Sequence, residues 1–396
     1  MNALLSLLPD PPSVLQEQCI RWFELERQGY GKGDAILFLI LRSGCFGCTG
    51  PEADAMILSF NERKRAQRKS AYTLRKTIAD AVPRDLFAAL HNDPFATASE
   101  WLEASLLYFN QSNWPILVTR LTSLVASRES FAILPTEALE PLLRKYTLSA
   151  SGLNNYLECP RSFYFENLLR IPQQKLPSMQ FGSAVHYALE KLFTEMKQYN
   201  GRFEKEDKLV YWFEEYLKEN GLYDDPSFAD RLEKGRAVLP LYYQRYIREW
   251  SRVVVVEKMI RGVQFHGVPL LGFIDKLEFN GTEVTIIDYK TGSWEKALTK
   301  LEPPSATQEK GGSYWRQAQF YKILVDHDNS TTWKAVNAYF DFIEPVEGVF
   351  RRKEIDFNPA SAETISHLIR NAWSGIQSGD FTSPCTDPGC PYCNGL

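Results

Sequence analysis

The feature that most constrains the fold of this chain is a pair of strand-like runs separated by Asn280-Gly281. The runs Leu270–Phe279 and Glu283–Lys290 are rich in β-branched and aromatic residues, which favour strands. Asn-Gly between two such runs is the strongest short signal for a hairpin, because a type I′ turn needs a positive φ at both central positions. The sequence therefore predicts an antiparallel hairpin in this region.

The register of this hairpin follows if its loop has two residues and no bulge. Phe279 then faces Thr282, and Asp275 faces Ile286. Side chains alternate between the two faces of a strand, so Asp275 shares a face with Asp288. We expect Asp288 to be its diagonal neighbour, roughly 7–8 Å away at Cα.

Acidic and basic side chains at the end of the second run indicate a metal-binding, catalytic site. Asp288 closes an apolar strand, where a carboxylate is costly unless it is paired or binds a metal. Asp275 and Asp288 would repel each other, and a divalent cation would relieve that repulsion. Lys290 lies on the same face and could orient water or stabilise charge on a phosphoryl oxygen. This pattern fits Mg²⁺-assisted or Mn²⁺-assisted phosphodiester hydrolysis, although charges at a strand end can also simply reach solvent.

Helical patterns surround the hairpin, which together predict an α/β core with a mixed sheet flanked by helices. Residues 182–198 show an amphipathic stripe, and residues 333–342 read as a further strand. The remaining helical segments predicted in this half of the chain are residues 204–250, 314–325 and 360–378.

The chain changes character near Leu148, which predicts two domains at residues 1–145 and 146–396. The first is mainly helical and of uncertain role. Its Asn61–Lys76 stretch is basic and could touch a DNA backbone, although a solvated helix face explains it as well. The glycines around Gly31 and Lys32 lack the spacing of a phosphate-binding loop, so no ATP site is predicted there.

Composition limits the classes of protein to consider. The formal net charge of −4 gives no indication of nucleic-acid binding, so any such binding must come from local patches or bound metal ions. No apolar run approaches the roughly 18 residues of a membrane-spanning helix. The apolar Met1–Leu8 stretch lacks a basic start and a cleavage site, so it is not read as a signal peptide. The sequence therefore predicts a cytoplasmic protein without a membrane partner.

Seven cysteines, an odd number, argue against a disulfide framework. Cys385, Cys390 and Cys393 form a C-x4-C-x2-C pattern, which leaves a tetrahedral site one ligand short. Cys159 is the candidate for the fourth ligand. Cys45 and Cys48 form a lone C-x-x-C that is interpreted as a pair of free thiols, and Cys19 has no evident partner.

Motifs beyond the hairpin resemble the RecB-type nuclease module of the PD-(D/E)XK superfamily. Phe181–His186 resembles the helix motif whose histidine joins the metal shell, here His186. Gln317 and Tyr321 resemble the family's Q-x-x-x-Y helix, whose residues shape the site and contact the DNA backbone. The resemblance covers residues 146–396 and extends to the nuclease part of bacterial helicase–nuclease proteins of the UvrD/RecB kind.

This resemblance implies a restriction-endonuclease-like core with an active site that hydrolyses DNA. Mg²⁺ or Mn²⁺ would bind His186, Asp275, Asp288 and the carbonyl of Tyr289, while Lys290 would orient the attacking water. The expected activity is that of an exonuclease in recombination or repair. No recognisable helicase core precedes the nuclease motifs, so the chain is expected to be either a truncated or rearranged relative of these proteins or a nuclease that works with a separate UvrD/RecB-like helicase.

The resemblance also implies a 4Fe–4S cluster on the four cysteines, as in the iron–sulfur subgroup of these nucleases. Zinc is the competing occupant, since the same ligand set serves both. Two other functions stay open at this point. One is a catalytically weak, DNA-binding adaptor for a helicase, and the other is a redox sensor.

Overall fold

The structure is a computed structural model that describes residues 14–28, 33–43, 49–66, 73–81, 131–172, 177–220 and 227–394. The interpretations given above for Met1–Leu8, for Gly31 and Lys32, and for Cys45 and Cys48 concern residues outside these ranges. Within them, no helix combines the length and the apolar character that crossing a membrane requires.

The secondary structure alternates between helices and one block of strands. In chain order the described helices are α1 (Val14–Gln28), α2 (Asp34–Arg42), α3 (Gly50–Ala66), α4 (Leu74–Ala81), α5 (Thr136–Lys145), α6 (Ala150–Glu158), α7 (Pro160–Phe163), α8 (Pro177–Gln198), α9 (Glu206–Asn220), α10 (Phe228–Tyr246), α11 (Trp294–Leu301), α12 (Ser313–Asp326), α13 (Pro359–Gln377) and α14 (Pro391–Asn394), with a π-helix at Tyr164–Leu169. The strands are β1 (Val254–Phe265), β2 (Val268–Asn280), β3 (Glu283–Lys290), β4 (Lys334–Val346) and β5 (Val349–Ile355). The predicted mixed α/β architecture with a helical N-terminal region is confirmed.

The chain forms two compact units that interleave in the sequence. The first comprises Met1–Tyr146, Asn155–Gln174 and Gly375–Leu396, and the second comprises Thr147–Asn154 and Lys175–Ser374. The division into domains at residues 1–145 and 146–396 stays a prediction.

Buried ion pairs lie inside the first unit. Arg42 Nε lies 3.0 Å from Oδ1 of Asp54, and the hydroxyl of Tyr164 donates to Oδ2 of the same carboxylate over 2.7 Å. Arg75 pairs with Glu26 over 3.0 Å. These pairs join α2 to α3 and α1 to α4, and the loss of one partner would leave a buried charge unpaired, which is strongly destabilising.

The basic Asn61–Lys76 stretch is divided in the structure. Its start forms the end of α3 and its last residues open α4, while residues 67–72 lie outside the described ranges. The side-chain amide of Asn61 donates to the carbonyl of Leu169 over 2.8 Å.

The second unit is built on a five-stranded sheet with the order β1-β2-β3-β4-β5. β3 and β4 are parallel, and the other neighbouring pairs are antiparallel. Parallel neighbours need a crossover connection, which α11 and α12 supply between β3 and β4. Neither α11 nor β5 was predicted from the sequence.

The register of the β2–β3 hairpin differs from the sequence expectation. Asn280 pairs with Glu283, and Leu277, rather than Asp275, pairs with Ile286. The turn is therefore Gly281-Thr282, and Gly281 has a φ of +63°. A type II′ turn needs a glycine only at its first central position, which explains the shift. Because the shift is two residues, every side chain stays on its predicted face.

Helices α8 and α12 contact opposite faces of β3. Tyr289 and Ile287 belong to a hydrophobic core with residues of α8, α9 and α10, among them Leu189. Asp288 lies between them in sequence and contacts Gln317 of α12 instead. Alternation along one strand thus delivers apolar groups to α8 and polar groups to α12.

Candidate active site and cysteine cluster

The predicted acidic residues Asp275 and Asp288 lie just beyond the last residue pair of the β2–β3 ladder. The last pair of the ladder is Lys276 with Ile287, one residue short of Asp275 and Asp288 on their respective strands. Oδ2 of Asp275 accepts a hydrogen bond from the backbone N–H of Tyr289 over 2.8 Å. This bond replaces the missing ladder contact and fixes one carboxylate beside the backbone of the other strand.

His186 reaches this point from α8. Its Nδ1 lies 3.3 Å from Oδ1 of Asp275, and its Nε2 lies 3.1 Å from the carbonyl oxygen of Tyr289. Burial alone would lower the pKa of His186, but the Asp275 carboxylate outweighs burial and raises the pKa to about 9. The same ion pair holds the pKa of Asp275 below its usual value in spite of burial. A cation bound by His186 would have to displace the imidazole proton.

Glu257 of β1 joins these residues and was missed by the sequence analysis. One donor atom each from His186, Glu257 and Asp275 lies within 4.8 Å of the others. Glu257 has a φ of +46°, in the left-handed region that a non-glycine residue rarely adopts. Burial, followed by the charge of Asp275, raises the pKa of Glu257 to about 7. Its one signal in the sequence is an acid that ends the run Val253–Val256, the same signal that singled out Asp288.

A hydrogen-bonded group on the α12 side holds the other predicted residues. The amide of Gln317 donates to Oδ1 of Asp288 over 2.9 Å, and its oxygen accepts from Lys290 Nζ over 3.0 Å. The Gln317 amide also lies 2.8 Å from the hydroxyl of Tyr321. Lys290 Nζ sits 4.3 Å from the ring centroid of Tyr314. Gly272 lets α12 come this close, because a Cβ there would lie 2.5 Å from Cδ1 of Leu324.

The charges in this group are set by burial and by pairing. Burial raises the pKa of Asp288 to about 6, against the opposing pull of Lys290. Burial alone would lower the pKa of Lys290, but Asp288 raises it, so the ammonium stays protonated. Asp288 Oδ2 lies 2.7 Å from Lys290 Nζ, so the two groups form a buried ion pair.

The donor set fits a hard divalent cation. Carboxylate and carbonyl oxygens with one imidazole suit Mg²⁺ or Mn²⁺. The donor atoms that meet are those of His186, Glu257 and Asp275, and the carbonyl oxygen of Tyr289 lies 3.1 Å from Nε2 of His186. Asp288 lies outside this group, with its carboxylate repelled by that of Asp275 and paired with Lys290.

The four cysteines predicted as ligands also converge, all within the first unit. The Sγ atoms of Cys159, Cys385, Cys390 and Cys393 lie within 4.8 Å of one another. Cys159 caps α7, with Pro160 at the first helical position, and its sulfur accepts from the backbone N–H of Ser162 over 3.3 Å. Burial raises the pKa of the Cys159 thiol to about 11, which a bound metal would reverse by taking the thiolate.

The sulfur spacing distinguishes the two metal groups that four cysteines could bind. Cys159 Sγ lies 3.7 Å from that of Cys390 and 3.5 Å from that of Cys393. A tetrahedral zinc ion with Zn–S bonds of about 2.3 Å would place its thiolates about 3.8 Å apart. The thiolates of a 4Fe–4S cluster bind four different irons and stand further apart. The observed spacing is that of a zinc site or of thiols that hydrogen-bond to each other, and the sulfurs would have to move apart to bind a 4Fe–4S cluster.

Comparison with known proteins identifies one family. The model of the PD-(D/E)XK nuclease superfamily matches residues 147–395. A solved structure titled "Crystal structure of SSO0001" is 16% identical and covers 52% of this chain and 92% of that chain. Its TM-score of 0.24 is too low for any conclusion to rest on the likeness. No curated protein matches the sequence.

Proposed function

The chain belongs to the PD-(D/E)XK nuclease superfamily, whose members are typically nucleases that use divalent metals, and from that premise we propose that it is a metal-dependent deoxyribonuclease. The observation that carries the proposal is that His186, Glu257 and Asp275 each bring one donor atom within 4.8 Å of the others, next to the buried ion pair of Asp288 and Lys290.

The residues have distinct roles in this proposal. His186, Asp275, Asp288 and the carbonyl of Tyr289 would hold Mg²⁺ or Mn²⁺, and Glu257 would add a carboxylate on the β1 side. The bound ion would polarise the phosphoryl group and lower the pKa of a water molecule.

Lys290, held protonated between Asp288 and Gln317, orients the attacking water and stabilises negative charge on the phosphoryl oxygen. Gln317 fixes the angle of both partners, and Tyr321 anchors Gln317 in turn. These contacts preorganise the site, so that little rearrangement is needed when the substrate arrives.

The proposed function extends to the substrate, the biological role and the partner of the nuclease. The motif order in residues 146–396 resembles RecB-type nucleases, which supports DNA ends as substrate, an exonuclease mode and a role in recombination or repair. The same resemblance supports a UvrD/RecB-like helicase as partner. It also supports a 4Fe–4S cluster on the four cysteines, with a structural role in tying distant parts of the chain together.

The proposal is tested with labelled linear DNA in the presence and absence of Mg²⁺. We expect cleavage that EDTA stops and that Asp288→Ala and Lys290→Ala abolish, with folding and DNA binding retained. Lys197→Ala, at an exposed position in the last turn of α8, is the matched control and should cut like the wild type.

Two outcomes would redirect the proposal. Cleavage at the wild-type rate in both Asp288→Ala and Lys290→Ala would overturn the site assignment. A wild-type protein that binds DNA in Mg²⁺ or Mn²⁺ without cutting it, alone or with a helicase, would favour the adaptor function.

A further inference from the structure

An exposed apolar pair lies on the β1–β2 hairpin beside the candidate active site. Met259 pairs directly with Phe273, and their exposed fractions are 43% and 52%. Directly opposite residues project from the same face with their Cβ atoms about 5 Å apart, so the two side chains form one surface. Between Val268 and Phe279, Phe273 is the one exposed side chain.

This pair is the next step along the hairpin from the proposed metal ligands. The pairs Val256–Lys276 and Lys258–Ile274 keep one register, which places Glu257 opposite Asp275. Residues two apart on a regular strand share a face and lie roughly 6.6 Å apart, which applies to Asp275 and Phe273 of β2. The positive φ of Glu257 interrupts this alternation on β1, but Met259 shares the face of Phe273 because the two are directly paired. Met259 and Phe273 are therefore the nearest outward neighbours of the two acids on this hairpin.

A cation follows at the next step. Arg261 pairs with Leu271, and the Arg261 side chain is exposed. The burial pattern of β2 supports the common face, because Gly272 and Ile274 are buried while Phe273 between them is not. Along this face the order is thus a carboxylate pair, an apolar pair and a guanidinium.

We propose that Met259 and Phe273 form a platform on which an unpaired base of the nucleic-acid strand stacks, next to the phosphate that is cut, with Arg261 contacting the strand's backbone. The proposal rests on the nuclease function proposed above and adds the class of substrate. Aromatic side chains beside a cation are how proteins hold single strands, since every base has a flat face to stack. An apolar peptide would match the platform but would have no use for the flanking guanidinium and carboxylates.

The platform has a consequence for substrate choice. In a duplex both faces of an internal base are covered by neighbouring bases. Only a single strand, or a frayed or flipped nucleotide, can offer a free face to Phe273. The structure therefore favours single-stranded DNA over intact duplex at this site.

The experiment measures binding separately from cleavage. Fluorescence anisotropy with a short single-stranded oligonucleotide, in EDTA so that nothing is cut, gives Kd for the wild type and variants. We expect Phe273→Ala to weaken binding about 5- to 150-fold, the range for one stacked base, while Phe273→Trp keeps wild-type affinity. Tyr211→Ala is the matched control, because Tyr211 is an aromatic residue with the same exposed fraction, 52%.

A second measurement locates the base. An oligonucleotide with a single abasic residue is moved through the register, and cleavage in Mg²⁺ reports the position of the cut phosphate. When the missing base is the one beside that phosphate, we expect the wild type to lose as much affinity as Phe273→Ala does. Phe273→Ala should lose nothing further on that oligonucleotide, because the two changes remove the same contact.

The failures of the two proposals can be told apart. Wild-type affinity in Phe273→Ala, or additive effects with every abasic oligonucleotide, would overturn the platform even if the protein cuts DNA normally. Full affinity in Phe273→Leu would also overturn it, since a leucine is apolar but cannot stack. A protein whose binding follows the expected pattern but which never cuts would uphold the platform and contradict the nuclease.

Discussion

Gln317 donates its side-chain amide to Oδ1 of Asp288 over 2.9 Å, and this contact leaves Oδ2 of the same carboxylate to its ion pair with Lys290. The same side chain accepts a hydrogen bond from Lys290 through its own oxygen. A single amide therefore sets the angle between an acid and a base that are only two residues apart on one strand. If water took the place of the Gln317 amide, Asp288 and Lys290 would no longer be held in this relative orientation.

Replacing Gln317 by leucine should impair turnover more than binding. Hydrogen bonds to charged groups contribute about 1.5–3 kcal/mol, so we expect kcat to fall roughly 10- to 150-fold with little change in KM. The measurement is steady-state cleavage at saturating Mg²⁺. Gln244→Leu, at an exposed position of α10, serves as the control. A kcat within twofold of the wild type would mean that Lys290 and Asp288 hold their geometry unaided.

Glu257→Gln should weaken metal binding while leaving the fold intact. The substitution keeps the size of the side chain and removes one charge from the group formed with His186 and Asp275. We expect the Kd for Mn²⁺, measured by calorimetry, to rise roughly 10- to 100-fold, as for other groups that support a metal site. Glu363→Gln, on the exposed side of α13, should leave the Kd unchanged. An unchanged Kd in Glu257→Gln would remove Glu257 from the site.

The sequence indicated most of this site because strand alternation is a simple rule. Periodicity placed Asp275, Asp288 and Lys290 on one face. In the structure Asp275 contacts His186 of α8, whereas Asp288 contacts Gln317 of α12 and pairs with Lys290. Glu257 escaped because its position depends on a left-handed backbone at one residue of β1, and no residue type signals that conformation for a glutamate. The orientation of the Gln317 amide depends on tertiary packing and could not be read from spacing.

Cys393→Ser should remove the bound group and destabilise the first unit. Bound structural metals contribute on the order of 10 kcal/mol to folding, so the loss of one thiolate should lower the Tm of that unit clearly. For a 4Fe–4S cluster, absorbance at about 400 nm should vanish as well. Cys19→Ala, in α1 and outside the cluster, is the control and should keep the absorbance. A colourless wild-type protein with one zinc per chain would show that the cluster assignment is wrong.

The stability of the first unit should fall as pH rises, through Asp34. Burial, aided by repulsion from Glu26, raises the pKa of Asp34 from 3.8 to about 7. A folded-state pKa above the unfolded value means that this group's stabilising effect is complete below pH 3.8 and is lost as pH rises through about 7.

Asp34→Asn provides the test, because its amide oxygen can still accept the hydrogen bond from the backbone N–H of Leu74. We expect the variant to be more stable than the wild type above pH 7, by at most about 4 kcal/mol, and the advantage to shrink towards acid pH. Amide hydrogen exchange of α2 and α4, compared between the two proteins at each pH, gives the difference. If the stability difference between the variant and the wild type stayed constant between pH 3.8 and about 7, Asp34 would not be a buried, protonated carboxyl.

The fold was predictable where local rules act and not where distant segments meet. The hairpin was predicted, but its turn falls at Gly281-Thr282. A type II′ turn also places a glycine at a position with positive φ, so Asn-Gly did not distinguish it from the expected type I′ turn. The single helical region expected at residues 204–250 is two helices, α9 and α10. The inclusion of residues 155–174 and 375–396 in one unit with the N-terminal helices depends on contacts across the whole chain, which no local pattern encodes.

The cysteine cluster also imposes an order of events on biosynthesis. Cys159 leaves the ribosome early, whereas Cys385, Cys390 and Cys393 follow the whole of Lys175–Ser374 in the chain. No ligand set can close until that entire segment has been translated. Translation that stops anywhere within it would yield a polypeptide with a single thiol of the four. If the four cysteines bind a metal group, its presence would report that Lys175–Ser374 has been made in full.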